Sequence, residues 1–192
     1  MCKSSVETVH HIISGCIVFA KTEYIKRHNN VAKGVYIRIG EELELFKKNE
    51  NHWYKFEPTS VVENENYKLL WDFPIQTDRE LVHNKPDIVI IDKVNQIVQI
   101  IDISIPSDYN VITKRNEKIT KYIDLSIEIK KMWNMQKIAI IPVIIGATGT
   151  VYKTIKNEIN LIPGHINIET LQRIAVMGTA YVWRRFNEIV KH

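Results

Sequence analysis

Two cysteines in 192 residues are too few for a disulfide framework, and free thiols suit a reducing, intracellular setting. No apolar run is long enough to cross a bilayer. The longest, Ile97 to Ile105 and Ile138 to Ile145, stop at about ten residues, against the ~20 a spanning helix needs. The opening Met1-Cys2-Lys3-Ser4 lacks the apolar core of a secretory signal. There is no internal repeat and no low-complexity tract. Charge of one sign is scarce too: 26 basic against 22 acidic residues leave +4, which permits nucleic acid as a partner without demanding it. What is present is ordinary for a globular chain, 45% hydrophobic and 25% charged, so wholesale disorder is not expected. The length bounds the answer at one compact domain, or one domain with a small appendage.

The chain changes texture along its length. Residues 1–57 are polar and mixed in charge, with helical spacing between Cys16 and Phe46 carried by Val18, Tyr24 or Ile25, Val31, Val35 and Ile39. Asn29-Asn30 and Gly34 interrupt that pattern. Residues 58–66 read as a linker, and 58–192 as the main domain. Within it, Lys68 to Gln76 alternates like a strand through Trp71, Phe73 and Ile75. Asp87 to Asp92 and Ile97 to Ile105 are β-branched runs suited to strands buried on both faces, with 93–96 as a hairpin loop. Thr113 to Trp133 reads as one helix with Tyr122, Leu125, Ile129 and Met132 on a stripe. Ile138 to Ile145 is another buried strand, and a last amphipathic helix carries Ile168, Leu171, Ala175, Gly178, Val182, Phe186 and Ile189. Strands, then helix, strand and helix make an α/β or α+β domain. Trp71, Trp133 and Trp183 fit the apolar patterns and read as core.

The hairpin carries the first chemical signal. If 93–96 is the loop, facing residues sum to 189, and Asp87 faces Asp102 on one side of the sheet. Two carboxylates held ~4.5–5.5 Å apart at their Cβ atoms repel unless something positive lies between them. A hard cation such as Mg²⁺ resolves this, since it takes one or two carboxylates with waters and phosphate. Asp102 also interrupts the run Ile100-Ile101-Asp102-Ile103, where an uncompensated charge is costly. A one-residue slip in register would send it to the other face.

Lys85-Pro86-Asp87, then Asp102-Ile103-Ser104 after fourteen residues, resembles the PD-(D/E)xK nuclease signature. The flanking text is more specific: Trp71-Asp72-Phe73-Pro74-Ile75-Gln76-Thr77-Asp78, Ile101 to Pro106, Glu117-Lys118-Ile119-Thr120-Lys121-Tyr122, Met132-Trp133, and Ile141-Pro142-Val143-Ile144-Ile145-Gly146-Ala147. Together these resemble the C-terminal restriction-like endonuclease of non-LTR retrotransposon reverse transcriptases, over nearly the whole chain.

That resemblance implies a mixed central sheet flanked by helices, with a small N-terminal helical appendage. It implies a metal-dependent endonuclease that nicks target DNA to prime reverse transcription of the element's RNA. The expected setting is nuclear, without a membrane, as one piece of a larger protein with a polymerase domain absent here. Asp87 and Asp102 would hold Mg²⁺ or Mn²⁺, with Asp78 or Asp72 as a further acid. A standard DxK motif puts lysine where Ser104 stands. Members of the family commonly supply it from the following helix, where Lys118 and Lys121 share a face with Tyr122. The alternative is a decayed nuclease that only binds nucleic acid, and a third is a structural or interaction domain.

The same resemblance gives Cys2, His11 and Cys16, spaced C-x8-H-x4-C, the look of a cut CCHC zinc knuckle whose fourth ligand would precede Met1. Three ligands leave such a site open or weak. For nucleic acid, residues 113–137 gather Lys114, Arg115, Lys118, Lys121, Lys130, Lys131 and Lys137 against three acids, a net +4. Such a helix either tracks a phosphate backbone or is a solvated face.

Overall fold

A computed structural model describes Cys2 and residues 8–47 and 55–190. Residues 3–7 and 48–54 of the expected N-terminal unit lie outside the described residues. The fold is mixed α/β: a five-stranded mixed sheet flanked by helices. The strands are β1 (Val61–Glu63), β2 (Tyr67–Trp71), β3 (Ile88–Asp92), β4 (Ile97–Ser104) and β5 (Lys137–Ile144), side by side in chain order. The first three joins are antiparallel and the last is parallel. A parallel join needs a long crossover. Helices α4 (Val111–Lys121) and α5 (Ile123–Met132) supply it. The other α-helices among the described residues are α1 (Val9–Ser14), α2 (Ile17–Ala20), α3 (Glu23–Glu42), α6 (Ile155–Ile159) and α7 (Ile168–Val190).

The β3–β4 hairpin has the expected register: Asp92 pairs with Ile97 and Ile88 with Ile101. Because side chains alternate across a strand, each strand feeds two cores. Ile88, Ile90, Ile101 and Ile103 pack with Val31, Val35, Ile39 and Ile174 of α3 and α7. Val89, Ile91, Val98 and Ile100 pack with Tyr122, Leu125 and Ile129. Helix α3, which the sequence places in the N-terminal segment, therefore shares one core with the sheet.

Several boundaries differ from the sequence reading. The expected linker 58–66 contains the edge strand β1, which pairs Val61 with Leu70. The expected strand 68–76 ends at Trp71, because Asp72 adopts a positive φ of 44° and turns the chain. The helix between Cys16 and Phe46 is two helices, with Val18 and Ile25 exposed and Arg27 buried in their place. The helix expected over 113–133 is broken at Tyr122. Trp71 and Trp133 are partly buried against the cores, but Trp183 is 36% exposed and stacks on Phe186.

Gly34 has a packing reason. A Cβ there would lie 3.1 Å from Ile174 Cδ1, so the bare backbone lets α3 and α7 approach closely. Gly178 does the same for Arg27, whose Cγ would stand 2.5 Å from an added Cβ. Arg27 is only 2% exposed. Its guanidinium donates to Ile13 O at 2.8 Å, Thr179 Oγ1 at 2.7 Å and Ile105 O at 3.4 Å, tying α1, α7 and the end of β4 together.

Candidate functional site

Pro86 ends the loop before β3, and β4 runs past the end of its antiparallel neighbour. Asp102 pairs there only with Pro142 of β5. The alternation that puts Val98 and Ile100 against α5 puts Asp102 on that same face, 2% exposed beneath α4. Three groups from α4 and its end compensate the charge. Tyr122 Oη donates to Asp102 Oδ1 at 2.5 Å, and its own phenol is wholly buried. Lys118 Nζ lies 2.5 Å from Oδ2, and Lys121 Nζ lies 3.5 Å from Oδ1. The Lys118 approach is an ion pair rather than an aligned hydrogen bond, since Oδ2 is a buried oxygen without one. The break at Tyr122 is what lets the two lysines and the phenol converge on one carboxylate. Burial pushes the Tyr122 phenol well up, and the charge and hydrogen bond of Asp102 add to it, so it stays a donor.

Asp87 is one residue before β3, and its carboxylate takes over where the ladder stops. Oδ2 accepts the Ile103 N–H at 2.7 Å. The same oxygen lies 3.1 Å from His28 Nε2, brought in by α3 from the opposite face of the sheet. Burial alone would raise the Asp87 carboxyl. The bond and charge of His28, the Ile103 N–H and the charge of Lys118 together hold it below the ordinary value. For His28, burial pushes down, but the bond and charge of Asp87 outweigh it, with Asn29 and Asp102 contributing, and lift the imidazole to about 9. These mutual effects place Asp87, Asp102, His28 and Lys118 in one electrostatic neighbourhood.

The donor chemistry suits a hard cation. Both hydrogen bonds to Asp87 land on Oδ2, and Asp102 Oδ2 has only an ammonium against it. Asp78 is exposed in the loop before β3, and Asp72 forms an exposed ion pair with Lys85 at 2.8 Å. The arrangement can neutralise and orient a divalent cation or present two lysines to a phosphate.

The basic residues are placed less uniformly than the sequence suggests. Lys114 pairs with Glu117, and Arg115 grips Glu158 through Nε at 2.6 Å and through Nη2. Lys118 and Lys121 are held by Asp102. Lys130 and Lys131 are exposed in the last turn of α5. Tyr122 is buried on Asp102, so it holds that side chain and has no surface to offer a nucleic acid.

Cys2, His11 and Cys16 do come together: their ligand atoms all lie within 4.8 Å of one another. The turn between α1 and α2 carries Cys16, and the cluster packs on Phe19 and Val182. Two sulfurs and an imidazole are a zinc-type donor set, among the described residues one short of the usual closed four. Burial raises the Cys16 thiol, and its bond with Cys2 adds to this. His28 is the group that sequence reasoning did not bring to the acid pair. Its signal was the polar run Arg27-His28-Asn29-Asn30 lying across the apolar stripe of a helix.

No protein-family model matches this chain, and no curated protein matches it.

Proposed function

We propose that this chain is a metal-dependent DNA endonuclease domain of the PD-(D/E)xK kind, similar to the restriction-like endonuclease of non-LTR retrotransposons. The observation that carries the reading is the meeting of Asp87 and Asp102 at one sheet end, with Lys118 and Lys121 aimed at Asp102 from α4. Asp87 and Asp102 would hold Mg²⁺, and Mn²⁺ would substitute. Bound there, the cation supplies a lowered pKa for water and charge stabilisation on a phosphoryl oxygen. The lysines would take the part of the DxK lysine, which Ser104 cannot play. Their ammonium groups, tethered to Asp102, can turn to a phosphate and offset charge that develops on it. Tyr122 fixes the rotamer of Asp102. The Cys2, His11 and Cys16 cluster would take zinc as a structural clip between α1 and α2. The substrate would be target DNA in the nucleus, with element RNA and a polymerase-bearing parent protein as partners.

The test is nicking of supercoiled plasmid by the purified chain in Mg²⁺ or Mn²⁺. Asp87→Ala and Asp102→Ala each abolish it while the circular dichroism spectrum is retained. Cleavage that survives in both variants overturns the proposal.

A second reading, a nuclease fold that only binds nucleic acid, has its own observation. Asp102 already sits against two ammonium groups and a phenol, a neutralised state that needs no cation. That reading gives salt-dependent DNA binding without cleavage, with a log–log slope of roughly −0.9 per phosphate contact.

A further inference from the structure

We infer that His28 is the positioning residue for Asp87, deciding which carboxylate oxygen is presented to a divalent cation. The inference rests on reading Asp87 and Asp102 as cation ligands, and it adds a residue from outside the hairpin and α4.

Asp87 Oδ2 receives two donors, the Ile103 N–H at 2.7 Å and His28 Nε2 at 3.1 Å. With both on one oxygen the carboxylate plane is fixed, and Oδ1 is the oxygen left to coordinate. His28 Nε2 also lies 3.1 Å from Ile103 O. A carboxylate and a carbonyl are both acceptors, so Nε2 carries the proton. The other ring nitrogen is 3.1 Å from Asn29 Oδ1 on the same helix, which holds the ring from behind.

The ring is mounted rigidly. Arg27, one residue earlier, is anchored to three elements, and Val31, one turn later, is fully buried. Yet His28 itself remains 30% exposed and Asp87 20%. The pair is thus stiff on the protein side and open on the solvent side, as a presented ligand requires. Hydrogen-bond partners of metal-ligating carboxylates commonly matter by ~10–100-fold in metal affinity or activity.

The experiment compares wild type, His28→Ala, His28→Asn and His28→Gln by Mn²⁺ binding in electron paramagnetic resonance and by nicking rate against Mg²⁺ concentration. Gln keeps an N–H donor at the reach of Nε2, whereas Ala and Asn do not. The expected result is a ~10–100-fold weaker Mn²⁺ affinity in Ala and Asn. The half-saturating Mg²⁺ concentration rises to match, the lost rate returns as Mg²⁺ is raised, and Gln recovers most of the affinity. Should Ala fail to fold, Asn against Gln gives the same comparison. Wild-type affinity in all three variants, or equal loss in all three, overturns the inference. If wild type binds Mn²⁺ in a way that Asp102→Ala abolishes but does not nick, the hydrolase reading fails alone and the His28 comparison is still read from binding. If no such Mn²⁺ binding occurs, both fall.

Discussion

The phenol of Tyr122 and the carboxylate of Asp102 meet at 2.5 Å, twenty residues apart in the chain and both out of reach of solvent. A buried carboxylate is tolerable only when donors surround it. Here the donor is planted at the break between two helices, so the geometry of the break and the charge of the strand depend on each other. Tyr122→Phe removes the donor and keeps the packing. The expected loss is about 1–3 kcal/mol in urea-induced unfolding, the cost of depriving an ionised group of its hydrogen bond. An unchanged midpoint would show that Lys118 and Lys121 suffice.

The two lysines are unequal. Lys118 lies 2.5 Å from Asp102 Oδ2, and Lys121 lies 3.5 Å from Oδ1, which the phenol already serves. Lys118→Ala is expected to lower the nicking rate by roughly 10²–10³, the range for removing one charge-stabilising donor. Lys121→Ala should do less. Reversal of that order in single-turnover kinetics would assign the phosphate-facing role to Lys121.

The His28–Asp87 pair gives the metal-free protein a pH signature. The imidazole stands at about 9 when folded and 6.5 when free, so its stabilisation is complete below 6.5 and is lost as pH rises through 9. Asp87 works in the opposite sense. Its folded value is below 3.8, so its share is complete above 3.8 and is lost in acid. Both describe one interaction, which is therefore fullest between those two free values. The melting temperature should fall between pH 6.5 and 9, and the fall should flatten in His28→Gln. Equal slopes in the two proteins would contradict the pairing.

Arg27 is a cation among neutral acceptors. Arg27→Ala empties a packed site and leaves Ile13 O, Ile105 O and Thr179 Oγ1 without their donor, an expected cost of about 3–5 kcal/mol. Gly178→Ala should cost about 1–3 kcal/mol, because the new Cβ meets the inner carbons of Arg27 rather than a mobile tip. Additive losses in the double variant would show that the two sites are not in contact.

Zinc offers a binding test away from the acid pair. Adding Zn²⁺ at 100 times its dissociation constant should stabilise the chain by about 2.7 kcal/mol, seen as a rise in melting temperature. Cys16→Ser should remove the rise. A rise that persists in Cys16→Ser places the zinc elsewhere.

The central hairpin was the most legible part of the fold. Continuous β-branched runs and a four-residue loop fix the register without any tertiary knowledge, and the pairing of Ile88 with Ile101 follows. The same arithmetic brings Asp87 and Asp102 to one strand end. The break at Tyr122 was not legible, because Thr113 to Trp133 holds no glycine or proline and its apolar stripe runs across the break. Its cause is tertiary: the phenol bonds to Asp102 under the sheet. Nor was β1, whose three residues are too few to show alternation. The basic cluster misled for a related reason. A count of lysines and arginines does not show that Glu158, forty-three residues on, engages Arg115. His28 was hidden because its partners come from two other elements.

The close fit of α3 against α7 at Gly34 bears on how much of the chain is needed for the centre to exist. His28 is carried by a helix whose apolar face is covered by the last helix of the described chain, through Leu171 and Ile174. Acids at 87 and 102, lysines at 118 and 121 and a histidine at 28 can all have left the ribosome while residues 168–190 are still within it. Until those final residues dock, α3 has an uncovered flank, and the ring at 28 has no fixed place from which to reach Asp87. A nascent chain would therefore carry every side chain of the centre before it possessed the centre. The same holds for a chain clipped ahead of Ile168.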